Sequence, residues 1–115
     1  MSIIILMNKI LILVWLHFLG DFLLQTTEMA TNKYNSIKHL ALHSFVYSLP
    51  FLLIGLQFAV INMILHFIID FFTSKVTHEL WEKEESHWFF VVIGFDQAVH
   101  ITCLIITSNM LFIFN

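Results

Sequence analysis

The stretch NMILHFIIDFFTSK, residues 62–75, decides how this chain is read. Asn62, His66, Asp70 and Ser74 recur at every fourth position, and the residues between them are mostly Met, Ile, Leu and Phe. A four-residue step places side chains on one face of an α-helix, one turn apart. The segment therefore reads as a membrane helix with a polar stripe turned toward other helices and apolar faces turned to lipid. Imidazole and carboxylate groups at bilayer depth are costly, so such a stripe reads first as functional.

Working outward, the same step recurs in every other apolar segment. His17 and Asp21 form one pair and Asp96 and His100 another, while His39, His43 and Tyr47 repeat the step a third time. Gln25 extends the first stripe by a further turn. Of the 115 residues 59% are hydrophobic and 13 are Phe, and the mean hydropathy is +0.88. That is well above a soluble domain. Charged residues make up 11%, there is no Arg, and the formal net charge is −3. This composition excludes a nucleic-acid footprint. The fold class expected is all-α: an integral membrane bundle of four transmembrane helices in one domain, residues 1–115.

About 20 apolar residues span the hydrocarbon. The helices are expected at about 3–25, 36–54, 58–77 and 88–114. The apolar run from Ser36 to Thr77 is too long for one crossing and must fold back near Gly55 to Gln57, with Pro50 kinking or ending the second helix. Thr26 to Lys38 reads as a loop, with a short interfacial turn around Glu28 to Ala30. Thr77 to His87 reads as a solvated loop or frayed helix end, flanked by Trp81 and Trp88 as interfacial anchors. The N-terminus lacks a small-x-small cleavage site and reads as a retained helix rather than a signal peptide. Cys103 is the only cysteine, so it makes no intrachain disulfide. Lys33, Lys38, Lys75 and Lys83 fall on the two long-loop sides and Lys9 on the other. The positive-inside rule then puts both long loops in the cytoplasm and both termini outside, in the cell's inner (cytoplasmic) membrane. No GxxxG occurs, and nothing in the sequence fixes an oligomeric state.

The polar pairs also agree in depth. Four antiparallel helices with a rise of about 1.5 Å per residue place them all at about 5–19 Å from one membrane side. Imidazole nitrogens with carboxylate oxygens suit zinc, iron or manganese, whereas all-oxygen cages suit magnesium and calcium. The candidate ligands are His17, Asp21, His43, His66, Asp70, Asp96 and His100. Three Asp and at least four His exceed one tetrahedral zinc. Either two metals are bound, or some of these residues orient the ligands. Gln25, His39, Tyr47, Asn62, Ser74, Lys75 and Gln97 are candidates for that supporting role. A lone membrane His is more often a helix–helix hydrogen-bond partner than a ligand, and His39 could be only interfacial. Lys75 can snorkel to the headgroups. His78 and His87 read as solvated loop residues.

Three strings carry a resemblance to a known family: HFLGDFLLQ (17–25), HFIIDFFTSK (66–75) and FDQAVH (95–100). They resemble the bacterial and phage membrane family known as domain of unknown function 3307, over almost the whole chain. That family has no established activity to carry over. The chain is more distantly similar to membrane-bound metal-dependent hydrolases, which also place His and Asp on transmembrane helices.

The residues support three kinds of function. The first is a metal-dependent hydrolase of a lipid phosphoester or similar amphiphile entering from the bilayer, with one carboxylate or His as general base and catalytic residues otherwise unassigned. The absence of Arg weakens a phosphate clamp, for which Lys75 or Lys38 could substitute. The second is a proton or metal-ion relay, transporter or sensor, which uses the same residue types. The third is a non-catalytic interaction protein whose polar pairs only lock helices together. Such bonds are worth about 0.6–2 kcal/mol each, so seven ionisable groups are a costly way to obtain them.

Overall fold

The computed structural model describes residues 2–111 and 113, which form helices and turns and no strand. Helix α1 covers Ile3–Phe18, capped by Ser2, whose side chain accepts from the Ile5 amide at 3.2 Å. It passes directly into a π-helical turn, Leu19–Leu23. Helix α2 is Thr27–Asn32, helix α3 Ile37–Ser48, helix α4 Leu56–Glu82 and helix α5 Ser86–Met110.

Three of these segments are long and apolar enough to cross a membrane: Ile3–Leu23, Leu56–Glu82 and Ser86–Met110. The expected second spanning helix is broken instead. Helix α3 has only 12 residues and is followed by a 3₁₀ turn at Leu49–Leu53 with Pro50 in its first turn. Proline has no amide hydrogen to donate and its ring crowds the carbonyl four residues back, so the α-helix gives way there.

Other ends also differ from expectation. The first helix finishes in the π turn at Leu23 rather than Gln25. Thr26 caps a true short helix, accepting from the Met29 amide at 3.2 Å, with Glu28 favourably placed in its first turn. Helix α4 continues five residues past Thr77 to Glu82, helped on its exposed face by the Lys83–Glu79 pair at 2.7 Å. It stops where Glu84 adopts a left-handed φ of 58° and the Glu85 amide reaches back to Leu80 O at 2.9 Å. Phe114, the expected end of the last helix, lies outside the described residues.

Helix α4 is the central element, packed along α5 on one side and α3 on the other. Helix α1 meets α5, and the π turn meets α3. That last approach is close: a Cβ on Gly20 would lie 2.5 Å from the carbonyl oxygen of Tyr47. The apolar core is a layer of Leu13, Leu16, Tyr47, Phe51, Phe58, Ala59 and Leu104. At the end of the molecule beyond it, buried Lys9 donates to Asn109. Asn62, between Phe58 and His66 on α4, donates to Thr107 at 3.0 Å. The outward faces carry Trp15, Phe72, Phe90 and Phe95, all exposed, while six of the seven His and Asp groups singled out are almost wholly buried. Asp96, at 9% exposure, is the least enclosed of them. Polar inside and apolar outside is the distribution that a lipid surround stabilises.

Candidate metal centre

The local reason for the centre is the helical step itself. In α4 it stacks His66 and Asp70, whose Nε2 and Oδ2 lie 3.2 Å apart, and in α5 it brings Asp96 Oδ1 within 3.2 Å of His100 Nε2. Asp21 comes from the π turn, where the wider winding changes the direction of its side chain relative to His17. Helix α3 contributes His43.

These helices converge on two overlapping groups that could hold a metal ion: Asp21, His43, His66 and Asp70, and Asp21, Asp96 and His100, all buried. In the first group the two imidazole Nε2 atoms are 2.9 Å apart. His43 Nε2 lies 3.1 Å from Asp21 Oδ1 and 3.4 Å from Asp70 Oδ2. His66 Nε2 lies 3.7 Å and 3.2 Å from the same two oxygens. Ligands about 2.0–2.1 Å from a tetrahedral ion are separated from one another by about 3.3–3.4 Å. These five edges run from 2.9 to 3.7 Å and scatter around that length, so the donor set has the chemistry for such an ion and could hold one. The Nδ1 atoms of His43 and His66 have no hydrogen-bond partner among the described residues. Their ring planes are held by packing instead. Tyr47 stacks on His66 at 3.8 Å, and His66 stacks on His100 at 4.1 Å.

Gln97 ties the two groups together. Its amide donates to Asp21 Oδ2 and Asp96 Oδ2, each at 3.1 Å, and its oxygen meets His17 Nε2 at 2.6 Å. His17 lies outside both ligand groups among the described residues. Its other nitrogen meets the Tyr47 hydroxyl at 3.0 Å, so both ring nitrogens are engaged, and it holds Gln97 in place.

The other candidates divide. Tyr47 is part of the centre through His17 and His66. Ser74 turns back to its own helix at the Asp70 carbonyl, and Gln25 lines the cavity above with its side-chain oxygen buried. His39 is elsewhere, bonded to Ser36 at 2.8 Å and Glu28 at 3.2 Å. Lys75 is also elsewhere, donating to the Tyr34 carbonyl at 3.0 Å and lying over the Phe71 ring. Asn62 lies outside both groups, one turn before His66 in α4, donating to the Phe58 carbonyl and to Thr107, each at 3.0 Å.

Two members escaped the sequence reading. Lys33 reaches in from the turn after α2 and its ammonium lies 2.9 Å from Asp70 Oδ2. Burial pulls the Lys33 pKa down, but the Asp70 and Asp21 carboxylates outweigh it and hold the group above the ordinary lysine value, so it stays cationic. No periodicity marks a loop lysine, so no signal pointed to it. Thr73, which donates to Asp96 Oδ1 at 2.6 Å, lies three residues after Asp70 and could have been found from the stripe.

A cavity of about 560 Å³ opens over the centre. Asp21, Asp70, Asp96, Lys33 and Gln97 are among its polar lining, and Phe22, Trp81, Phe89 and Ile93 are among its apolar lining.

Fold and site together define an all-helical protein, with three helices able to cross a membrane and a buried His/Asp cluster that could hold a metal ion. The chain belongs to the family described as protein of unknown function (DUF3307), whose model matches residues 9–115. No curated protein and no solved structure matches it. Family membership therefore brings no reaction with it.

Proposed function

We propose that this protein is a membrane-embedded, metal-dependent hydrolase acting on a lipid phosphoester or a similar amphiphile. The observation that carries the reading is the convergence of His43, His66, Asp21 and Asp70 at the separations of a tetrahedral site, beneath an open cavity with aromatic walls. Helix α3 with its 3₁₀ turn extends about 28 Å, from about 1.5 Å per α residue and 2.0 Å per 3₁₀ residue. It then serves as the fourth crossing in a bundle set in the inner membrane. By the lysine distribution the cavity and both long loops face the cytoplasm, with the termini outside. An amphiphile in the cytoplasmic leaflet would present its headgroup to the polar floor and its chain to Phe22, Phe89 and Ile93.

A bound zinc, iron or manganese ion would supply Lewis acidity and an activated water. Lys33 is the residue placed to meet an anionic oxygen of the substrate, the part an arginine often takes. Gln97 and His17 fix Asp21, and Thr73 fixes Asp96.

A proton relay is the second reading, because polar contacts run unbroken from Asp96 through His100, Asp70, His66 and His43 to Asp21. Against it, the layer of Leu13, Phe51, Phe58 and Leu104 lies between this chain of contacts and the opposite end of the molecule.

The test begins with metal content of detergent-purified protein by mass spectrometry, beside a His66→Ala/Asp70→Asn variant. Wild type is expected to carry transition metal that the variant lacks. It should also release phosphate from phosphatidic acid in mixed micelles, a release lost on chelation and restored by metal. Wild type that takes up no zinc, iron or manganese on add-back would remove this reading. Bound metal with a proton flux in vesicles and no hydrolysis of any phospholipid would favour the relay.

Lys33→Met should separate two roles of that side chain. The ammonium repels a cation at the adjacent Asp70 oxygen, so its removal is expected to raise metal affinity on the order of tenfold. Phosphoester turnover should fall in the same variant. Competition against a chromophoric chelator measures the first effect and the micelle assay the second.

A further inference from the structure

The two groups of ligands share Asp21, and Asp70 of the first also reaches His100 of the second, contacts that one ion does not use. Asp70 turns Oδ2 toward His43 and His66, at 3.4 and 3.2 Å, and Oδ1 toward His100 Nε2, at 2.9 Å. Asp21 likewise turns Oδ1 toward His43, while its Oδ2 faces the Gln97 amide, which also binds Asp96. Each carboxylate thus has one oxygen on either side. His100 and Asp96 lie on the far side from His43, at 3.2 Å from each other and within ligand reach of Asp21. Asp96 has its orientation set by Thr73 at 2.6 Å, as supporting partners set a ligand.

We propose that the centre holds two cations, with Asp21 and Asp70 bridging them, His43 and His66 completing the first position, and His100 and Asp96 completing the second. This rests on the metal-centre reading above and extends it to a second site. Bridging carboxylates in two-metal centres hold the ions about 3.5–4 Å apart, close enough to clamp both the attacking and the leaving oxygen at phosphorus. The charges agree with an anionic ligand. Two divalent cations and the Lys33 ammonium outweigh three carboxylates, so the cavity floor becomes net positive. The open side of the second position is the cavity itself, which Asp96 and Gln97 line.

Manganese alone is the probe. Metal-depleted protein in detergent is titrated with Mn²⁺ and followed by electron paramagnetic resonance, with helicity checked by circular dichroism. In wild type the first equivalent is expected to give an isolated-ion spectrum, and the second to convert it to an exchange-coupled one. His100→Gln and Asp96→Asn, made separately, should bind a single equivalent and keep the isolated-ion spectrum. His43→Gln should lose the coupled spectrum from the other side. Wild type that saturates at one equivalent would overturn the second position while leaving the metal centre standing. Two equivalents that never couple would place the second ion elsewhere and also overturn it. Wild type that binds no manganese, zinc or iron would overturn the metal-centre reading and this inference together.

Discussion

Asp70→Asn is expected to lower transition-metal affinity by at least about 100-fold while leaving helical content unchanged. Changing a residue that merely supports a metal ligand typically costs 10–100-fold, and Asp70 belongs to the group that could hold the ion itself. It is 1% exposed and lies within 3.4 Å of Lys33, His43, His66 and His100. Asparagine keeps the shape and one hydrogen-bonding oxygen but gives up the charge that would draw a cation in. The metal-free fold should tolerate this. The change removes one of three mutually repelling carboxylates, His100 keeps Asp96, and the partly exposed Lys33 head can turn to water. The clearest readout is the thermal shift. A ligand at 1,000 times its dissociation constant stabilises the folded state by about 4 kcal/mol, so added metal should raise the melting temperature of wild type and not of the variant. A variant that melts well below metal-free wild type, with no metal effect in either protein, would mean that Asp70 serves helix packing alone.

Gly20→Ala is expected to be the most damaging single-methyl change in the chain. The new Cβ would lie 2.5 Å from Tyr47 O, 3.1 Å from its Cα and 3.2 Å from its carbonyl carbon. All three are backbone atoms, so no side chain can swing aside. Helix α3 must move off the π turn. Overpacking of this kind costs about 1–3 kcal/mol, and here the moving parts carry Asp21, His43 and Tyr47. Melting temperature in detergent should fall, and metal affinity should fall with it by about tenfold, equivalent to roughly 1.4 kcal/mol. Gly94→Ala is the control. Nothing lies within 4 Å of its added Cβ, and it sits inside α5. Alanine in a helix interior is favoured over glycine by about 0.5–1 kcal/mol, so this variant should melt no lower than wild type. Equal behaviour of the two variants would show that the close approach at Gly20 contributes nothing to the fold.

The candidate site was legible in part, and the parts that were legible share a cause. The pairs His66 and Asp70, and Asp96 and His100, and the three helices long and apolar enough to cross a membrane all follow from the order of residues along one helix. That is a local property of the backbone. The depth agreement among Asp21, His43, His66, Asp70, Asp96 and His100 follows from rise per residue, which is equally local. What lies between helices is not. Position along the axis, rather than the face of the helix, decides that His39 meets Glu28 while His43, one turn on, meets Asp21. Only packing reveals that Lys75, adjacent to the stripe, turns to the Tyr34 carbonyl. Lys33, 37 residues away from Asp70 in the chain, takes the place beside it. The break at Pro50 is local to the chain, whereas the close approach of Gly20 to the Tyr47 backbone joins segments far apart in it. Sequence alone determined the apolar spans and the polar face of each helix, because both repeat with the helical period. The tertiary structure alone decided which oxygen faces which imidazole, because that depends on the angles and distances at which separate helices meet.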